Sequence, residues 1–378
     1  MRAWLLLLLC AVLGAGQPKV VLLSFDGLAA RKFNAQTMPR LWKLGASAAV
    51  GEGIPPFPST TFNGHATIAT GCWPGHHGIV ANSFVDPEEG FVAYTATARE
   101  LLREPVWIAA QRSGVKAAVY HWPCATGPWN GESPWRLEAF KPDTTDADAL
   151  AFCGAALKDG AQLVMAYLSG IDEEAHHHGP GSPEVFRKLR ATDALLAPWI
   201  EKLRAEDPDV RVILCADHGF ARVPRRVSLP RLLKGLPARI IAHGGSAFLY
   251  LERPGDEAEA LMRLHRAGLR AWKRADLPVR FHLAGSPRVS DLVVSAPMGT
   301  WLSEARTPAG LARERDGRVG CHAFDPAFPE MHTWLVVFGA GRGRLGQVPL
   351  WDLAPTVADL LGIHWTLPPD GKAIRFPR

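Results

Sequence analysis

Beyond its first sixteen residues, this 378-residue sequence has no apolar run long enough to cross a bilayer. It has no internal repeat and no low-complexity linker, which excludes solenoids and disordered tethers. Charge of one sign is also scarce. The 42 Lys and Arg residues exceed the 37 Asp and Glu residues by +5, too little and too evenly spread to call for a nucleic-acid polymer. No cysteines stand as a CxxC pair, so a thiolate zinc site is not indicated. Past Cys10 there remain Cys72, Cys124, Cys153, Cys215 and Cys321, an odd set that cannot be fully paired. An oxidising compartment would permit one or two disulfides among them.

What is present begins with "MRAWLLLLLCAVLGAGQPKV". Arg2 precedes a run of about ten apolar residues, and Gly14 and Gly16 precede Gln17, the layout of a cleavable secretory leader. A buried N-terminal helix would need a polar face, and this run has none. The chain is therefore expected to be exported (secreted or periplasmic), with a signal peptide over 1–16 and no stable membrane anchor. Residues 17–378 are expected to form one monomeric domain, and 47% hydrophobic content supplies its core.

Short apolar runs alternate with helical patterns. "VVLLSF" (20–25), "KAAVY" (116–120), "LVMAYL" (163–168), "VRVILCA" (210–216) and "WLVVFG" (334–339) suit strands covered on both faces. Helical patterns occupy 104–113, 146–158, 184–203 and 351–361. The alternation predicts an α/β fold, a doubly wound, mostly parallel sheet with helices on both faces. Residues 228–298 read as a small α+β insertion, with strand candidates "AFLYL", "VRFHL" and "DLVVS" around one helix over 256–273.

In such sheets, chemistry gathers beyond the carboxyl ends of the strands. Asp26 follows the first run, Asp172 and His176 follow the third, and Asp217-His218 follow the fourth. An aspartate after a strand is often only a helix cap or turn residue. Several desolvated carboxylates at one edge, however, repel one another unless a cation sits between them. Carboxylate with imidazole suits Zn²⁺, or less often Mn²⁺ or Fe. In "DEEAHHH", Asp172 and His176 are four apart and meet on one helical face. A nucleophile is the next need. "FPSTTFNGHATIATG" (57–71) offers Ser59, Thr60 and Thr61 before a helical pattern closed by Gly71. The bland reading is a cluster of N-caps; the sharper one puts a hydroxyl at a positive helix end beside a metal. Spacing does not choose among the three.

The motifs "SFDGL", "FPSTTFNGH", "TGCWPGHHGIVANS", "DEEAHHHGP", "ADHGF" and "GCHAFD", in this order over about 20–363, resemble the nucleotide pyrophosphatase/phosphodiesterase family of the alkaline phosphatase superfamily. The resemblance implies two Zn²⁺ ions. One would be held by Asp172, His176 and His322, the other by Asp26, Asp217, His218 and the hydroxyl of Thr61. It implies Thr61 as nucleophile, Asn82 as the side chain that binds a phosphoryl oxygen, and Phe62 as an aromatic that stacks on a nucleobase. It also implies a small-molecule substrate, a nucleotide or another phosphodiester. Trp129 or Trp135, in "HWPCATGPWNGESPW", is a further candidate for base stacking. His65, His76, His77 and His332 stand near the motifs and read as supports rather than ligands. The family usually has Pro-Asn-His where this chain has Asn63-Gly64-His65, and a glycine there loosens the first helical turn. A phosphomonoesterase or a phospholipase C-like diesterase on the same core is the alternative. A sulfatase is disfavoured because "STTFNGH" lacks the C/S-x-P-x-R pattern that such enzymes modify. A catalytically dead binding protein is disfavoured because every metal position is filled.

Overall fold

The apolar runs become the strands of one eight-stranded sheet. A computed structural model describes residues 17–377, and the expected leader over 1–16 lies outside them. The strands are β1 (Lys19–Phe25), β2 (Ala49–Ile54), β3 (Ala117–Tyr120), β4 (Arg136–Glu138), β5 (Leu163–Leu168), β6 (Val210–Cys215), β7 (Thr333–Phe338) and β8 (Gly343–Pro349). Their order is β8-β2-β7-β6-β1-β5-β3-β4. The run from β6 to β4 is parallel throughout. Side chains of β1 alternate between two cores: Val20 and Leu22 enter one, Val21, Leu23 and Phe25 the other. Helices therefore cover both faces, and each fully buried Val, Leu or Phe contributes roughly 1.5–3 kcal/mol.

Among the described residues, no helix is long and apolar enough to cross a membrane. Helix boundaries follow the sequence closely. Helix Asp146–Lys158 starts at a Thr145–Asp148 capping box, and helix Pro183–Glu206 starts with Pro183 behind the Ser182 cap.

Three expectations change. Strand β7 is antiparallel to both β2 and β6, because a continuous apolar run reports two-sided burial and not direction. In the inserted region, the helix is only Glu257–Arg266; Gly268, at φ +79°, turns the chain into a strand at Arg270–Lys273. That strand joins Ala238–Ala242, Ser246–Leu251 and Leu292–Ser295 in a four-stranded antiparallel sheet. "VRFHL" is not a strand. It makes a single 3-10 turn, Val279–Phe281, stopped by His282 at φ +52°. Its alternation reflects two buried anchors, Phe281 and Leu283, after Val279, which is 86% exposed.

The five described cysteines are all free and buried, so the disulfides that export would permit do not form among them. Burial pushes the Cys72 thiol up to about 11 and those of Cys153 and Cys321 up to about 12.

Candidate metal centre and nucleophile

Parallel register brings three strand ends level. Phe25 pairs with Leu168, and Ser24 pairs with both Tyr167 and Cys215, so the residues that follow emerge at one edge. Asp26 follows β1 directly. Asp172 and His176 lie on helix Gly170–His178 after β5, and Asp217 and His218 follow β6. His322 arrives differently. The short strand Gly320–Cys321 pairs antiparallel with Ala221–Arg222, just past His218, and this carries His322 into the edge. The rings of His218 and His322 stack at 3.8 Å.

The histidines share one orientation. Nδ1 of His176, His218 and His322 donates to the carbonyls of Gly320, Gly219 and Ser59, at 3.1, 3.1 and 3.0 Å. A carbonyl only accepts, so Nδ1 carries the hydrogen and Nε2 presents a bare lone pair to the centre. Burial holds the three rings neutral: it pushes His322 down to about 3, with help from His176, His176 down to about 4, and His218 well below the usual range.

Those lone pairs face carboxylate oxygens. His218 Nε2 is 3.3 Å from Asp26 Oδ1 and 3.2 Å from Asp217 Oδ2. His176 Nε2 is 3.4 Å from Asp172 Oδ2, and His322 Nε2 is 4.0 Å from Asp172 Oδ1. With neutral rings these are not ion pairs. Asp26 Oδ1, Asp172 Oδ1 and Asp217 Oδ2 are buried and have no hydrogen-bond donor. Burial, and then each carboxylate's charge on the next, raises all three pKa values well above the carboxylate range. Such an arrangement is costly unless cations lie among the donors. Two overlapping groups have ligand atoms within 4.8 Å of one another: Asp172, His218 and His322, and Asp26, Asp217 and His218. This donor set fits zinc-type divalent ions.

The three candidate hydroxyls are no longer equivalent. Ser59 Oγ donates to the carbonyl of Phe324 at 2.9 Å, and Thr60 Oγ1 is buried without a partner. Thr61 opens helix Thr61–Thr70, and its Oγ1 donates to His218 Nε2 at 3.4 Å. None of the three caps the helix with its side chain. Asn82 takes that role from outside: its Oδ1 accepts from the N–H of Phe62 at 2.8 Å, and its Nδ2 makes no hydrogen bond among the described residues. That leaves Nδ2 available next to Thr61.

Gly64 tightens this helix rather than loosening it. Its N–H donates to the Thr60 carbonyl at 2.7 Å, and a Cβ there would lie 2.8 Å from both Cβ and the carbonyl oxygen of Asp217. Only glycine lets the helix approach a candidate ligand so closely. His65, buried beneath, donates from Nδ1 to the Thr61 carbonyl at 2.8 Å and sits 3.5 Å from Asp217 Oδ2. His76, His77 and His332 bond elsewhere, to Asp370, Thr67 and Glu52.

Some residues were mislocated or missed. Trp135 is apart from the others: Arg136 pairs with Ala118 at the beginning of β3, so Trp135 lies at the amino edge of the sheet. There it packs against Lys116 and Arg136. Trp129 is buried, with its Nε1 bonded to the Leu101 carbonyl at 3.0 Å. The aromatic at the right edge is Phe140, past the end of β4. It is 54% exposed, with its ring 6.3 Å from that of Tyr167. Phe62 meets a second exposed ring, Tyr94, edge-on at 6.0 Å. Tyr167 itself was missed, being the polar end of an apolar strand. Its hydroxyl donates to Asp26 Oδ2 at 2.5 Å inside the core.

Comparison with known proteins follows the same lines. Residues 20–325 match the family model described as type I phosphodiesterase / nucleotide pyrophosphatase. An uncharacterized pyrophosphatase/phosphodiesterase of Schizosaccharomyces pombe is 28% identical over 353 residues, covering 86% of this chain and 72% of the relative. Venom phosphodiesterase 2 of Crotalus adamanteus is 25% identical over 370 residues, or 90% of this chain, which spans only 44% of that longer protein. In fold, the chain superposes on murine ectonucleotide pyrophosphatase / phosphodiesterase 5 with a TM-score of 0.85 at 24% identity, covering 94% of this chain and 97% of that one. An inactive variant of the murine protein, in complex with AMP, matches equally well.

Proposed function

Because the chain belongs to the type I phosphodiesterase / nucleotide pyrophosphatase family, we propose that it is an exported hydrolase of nucleotide phosphodiester or pyrophosphate bonds. It works with two zinc ions and a phosphothreonine intermediate on Thr61. The observation that carries this reading is the buried edge where unpartnered carboxylate oxygens and bare imidazole nitrogens gather, one of those nitrogens, His218 Nε2, being bonded to the Thr61 hydroxyl. Asp172, His176 and His322 would hold one ion, and Asp26, Asp217, His218 and Thr61 Oγ1 the other. When bound, the zinc ions supply Lewis acidity that lowers the hydroxyl pKa and offsets negative charge on the phosphate.

The remaining work belongs to the chain. Thr61 Oγ1, as alkoxide, forms a bond to phosphorus while the bond to the leaving oxygen breaks; water then cleaves the phosphothreonine. Asn82, locked by the Phe62 N–H, donates from Nδ2 to a non-bridging oxygen. Phe62, with Tyr94 and Phe140 at the same edge, offers aromatic faces to a base. Residues 17–378 act as one catalytic domain in this reading, with 228–298 inserted into it. Export is supported by the leader pattern and by a relative named as a venom enzyme.

Rates on a nitrophenyl nucleotide ester, bis-nitrophenyl phosphate and nitrophenyl phosphate test the reaction class. The nucleotide ester is expected to be fastest; a wide preference for the monoester would overturn the reading in favour of a phosphomonoesterase.

A further inference from the structure

The inserted region reaches back to the centre through the turn Val279–Phe281. Arg280 donates from Nη1 and Nη2 to the two oxygens of Asp325, each at 2.5 Å, a planar fork that Lys cannot reproduce. Asp325 is buried and lies three residues past His322. The next residue, Phe281, stacks on Phe57 with ring centroids 3.8 Å apart, and Phe57 lies four residues before Thr61. Between these anchors the two loops are stitched together. Ala323 N–H donates to the Ser59 carbonyl at 2.8 Å, His322 Nδ1 donates to the same carbonyl, and Ser59 Oγ reaches the Phe324 carbonyl. From the same inserted region, Gly245 N–H donates to the His322 carbonyl at 3.0 Å.

We propose that Arg280 is a positioning residue: with Phe281 it latches the nucleophile loop to the His322 loop, and so aims His322 Nε2 and Thr61 at the same centre. The role deepens the hydrolase reading above and rests on it. His322 sits on no helix and just past a two-residue strand, Gly320–Cys321, so nothing in the central sheet fixes it. The latch supplies that rigidity from a side chain that is itself 47% exposed, and replacing it leaves no buried charge except on Asp325.

The test uses the whole chain and zinc alone as the probe. Zinc affinity is measured by competition with a chelating dye, alongside melting of the metal-free protein and steady-state rates on the nitrophenyl nucleotide ester. Arg280→Gln is expected to weaken zinc binding and lower kcat, each about 10- to 100-fold, with KM changed by less than about threefold. Arg280→Lys recovers part of both. Arg280→Gln combined with Asp325→Asn does no worse than the poorer single variant, as expected for one coupled pair. Lys19→Gln, which breaks the Lys19–Asp207 pair at the amino edge, leaves zinc affinity unchanged. Wild-type zinc affinity in Arg280→Gln, or an equal loss in Lys19→Gln, overturns the latch. An inactive wild type would instead overturn the hydrolase reading, and the zinc titrations would still decide the latch.

Discussion

Removing a single oxygen from Tyr167 isolates what holds Asp26 in place. The Tyr167 hydroxyl donates to Asp26 Oδ2 at 2.5 Å with both residues buried, and burial above all keeps the phenol protonated. In metal-free protein, burial and then the Asp172 charge shift Asp26 toward its protonated form, so the bond that Tyr167→Phe removes is there closer to a neutral hydrogen bond, about 0.5–1.5 kcal/mol. In a chain of this size that is a melting shift of only about 1–2 °C, at roughly 1.3 °C per kcal/mol. With a cation bound, Asp26 is ionised and the same bond is charge-assisted, about 1.5–3 kcal/mol. The difference appears as affinity. Since about 1.4 kcal/mol is tenfold, zinc should bind the variant up to roughly tenfold more weakly. A dye-competition titration and melting curves with and without zinc measure both numbers. Zinc affinity equal to wild type, with the full loss seen already in the metal-free melt, would refute the reasoning.

Four further outcomes follow. Thr61→Ala should abolish turnover while keeping most bound zinc; normal rates in that variant would remove Thr61 as nucleophile. Gly64→Ala should lower kcat despite a helix propensity gain of about 1 kcal/mol, because its Cβ meets Asp217; unchanged rates would show that the helix can shift freely. Phe140→Ala should raise KM for a nucleotide ester while Trp135→Ala leaves it alone, which steady-state kinetics on the two variants decide. The last concerns pH. The carboxylates are raised in the fold, so the native state holds more protons and metal-free stability falls as pH rises above about 3.9. The histidines are lowered, His322 to about 3 and His176 to about 4, so they cost stability as pH falls below about 6.5. Between about 3.9 and 6.5 the two sets therefore oppose each other in the metal-free protein. Zinc binds the ionised carboxylates and neutral rings and so releases protons; melting with zinc should rise relative to melting without it as pH increases through this window, and a gap independent of pH would count against these residues as ligands.

The sequence made the strand-end residues legible because parallel strands in an open sheet deliver their successors to one edge. Asp26, Asp172, Asp217 and His218 could be read from that rule alone. His322 could not, since a two-residue strand positions it, and only the family resemblance pointed there. Tyr167 was hidden by its apolar neighbours in "LVMAYL". Trp135 was misplaced because composition cannot tell which end of a strand a residue occupies. The register of Arg136 against Ala118 puts Trp135 at the far edge, whereas Phe140 lies beyond the other end of the same strand. The antiparallel direction of β7 and the turn at 279–281 share one cause: burial patterns record what is covered, not which way the chain runs.

The five sealed thiols give the molecule a property separate from its chemistry. With Cys72, Cys124, Cys153, Cys215 and Cys321 each at most 3% exposed, no covalent cross-link among them ties its folding to an oxidant. A thiol-reactive dye meets none of these sulfurs in the native chain and all of them once it opens. Labelling therefore counts open molecules directly, and each variant above carries its own built-in measure of how often it comes apart.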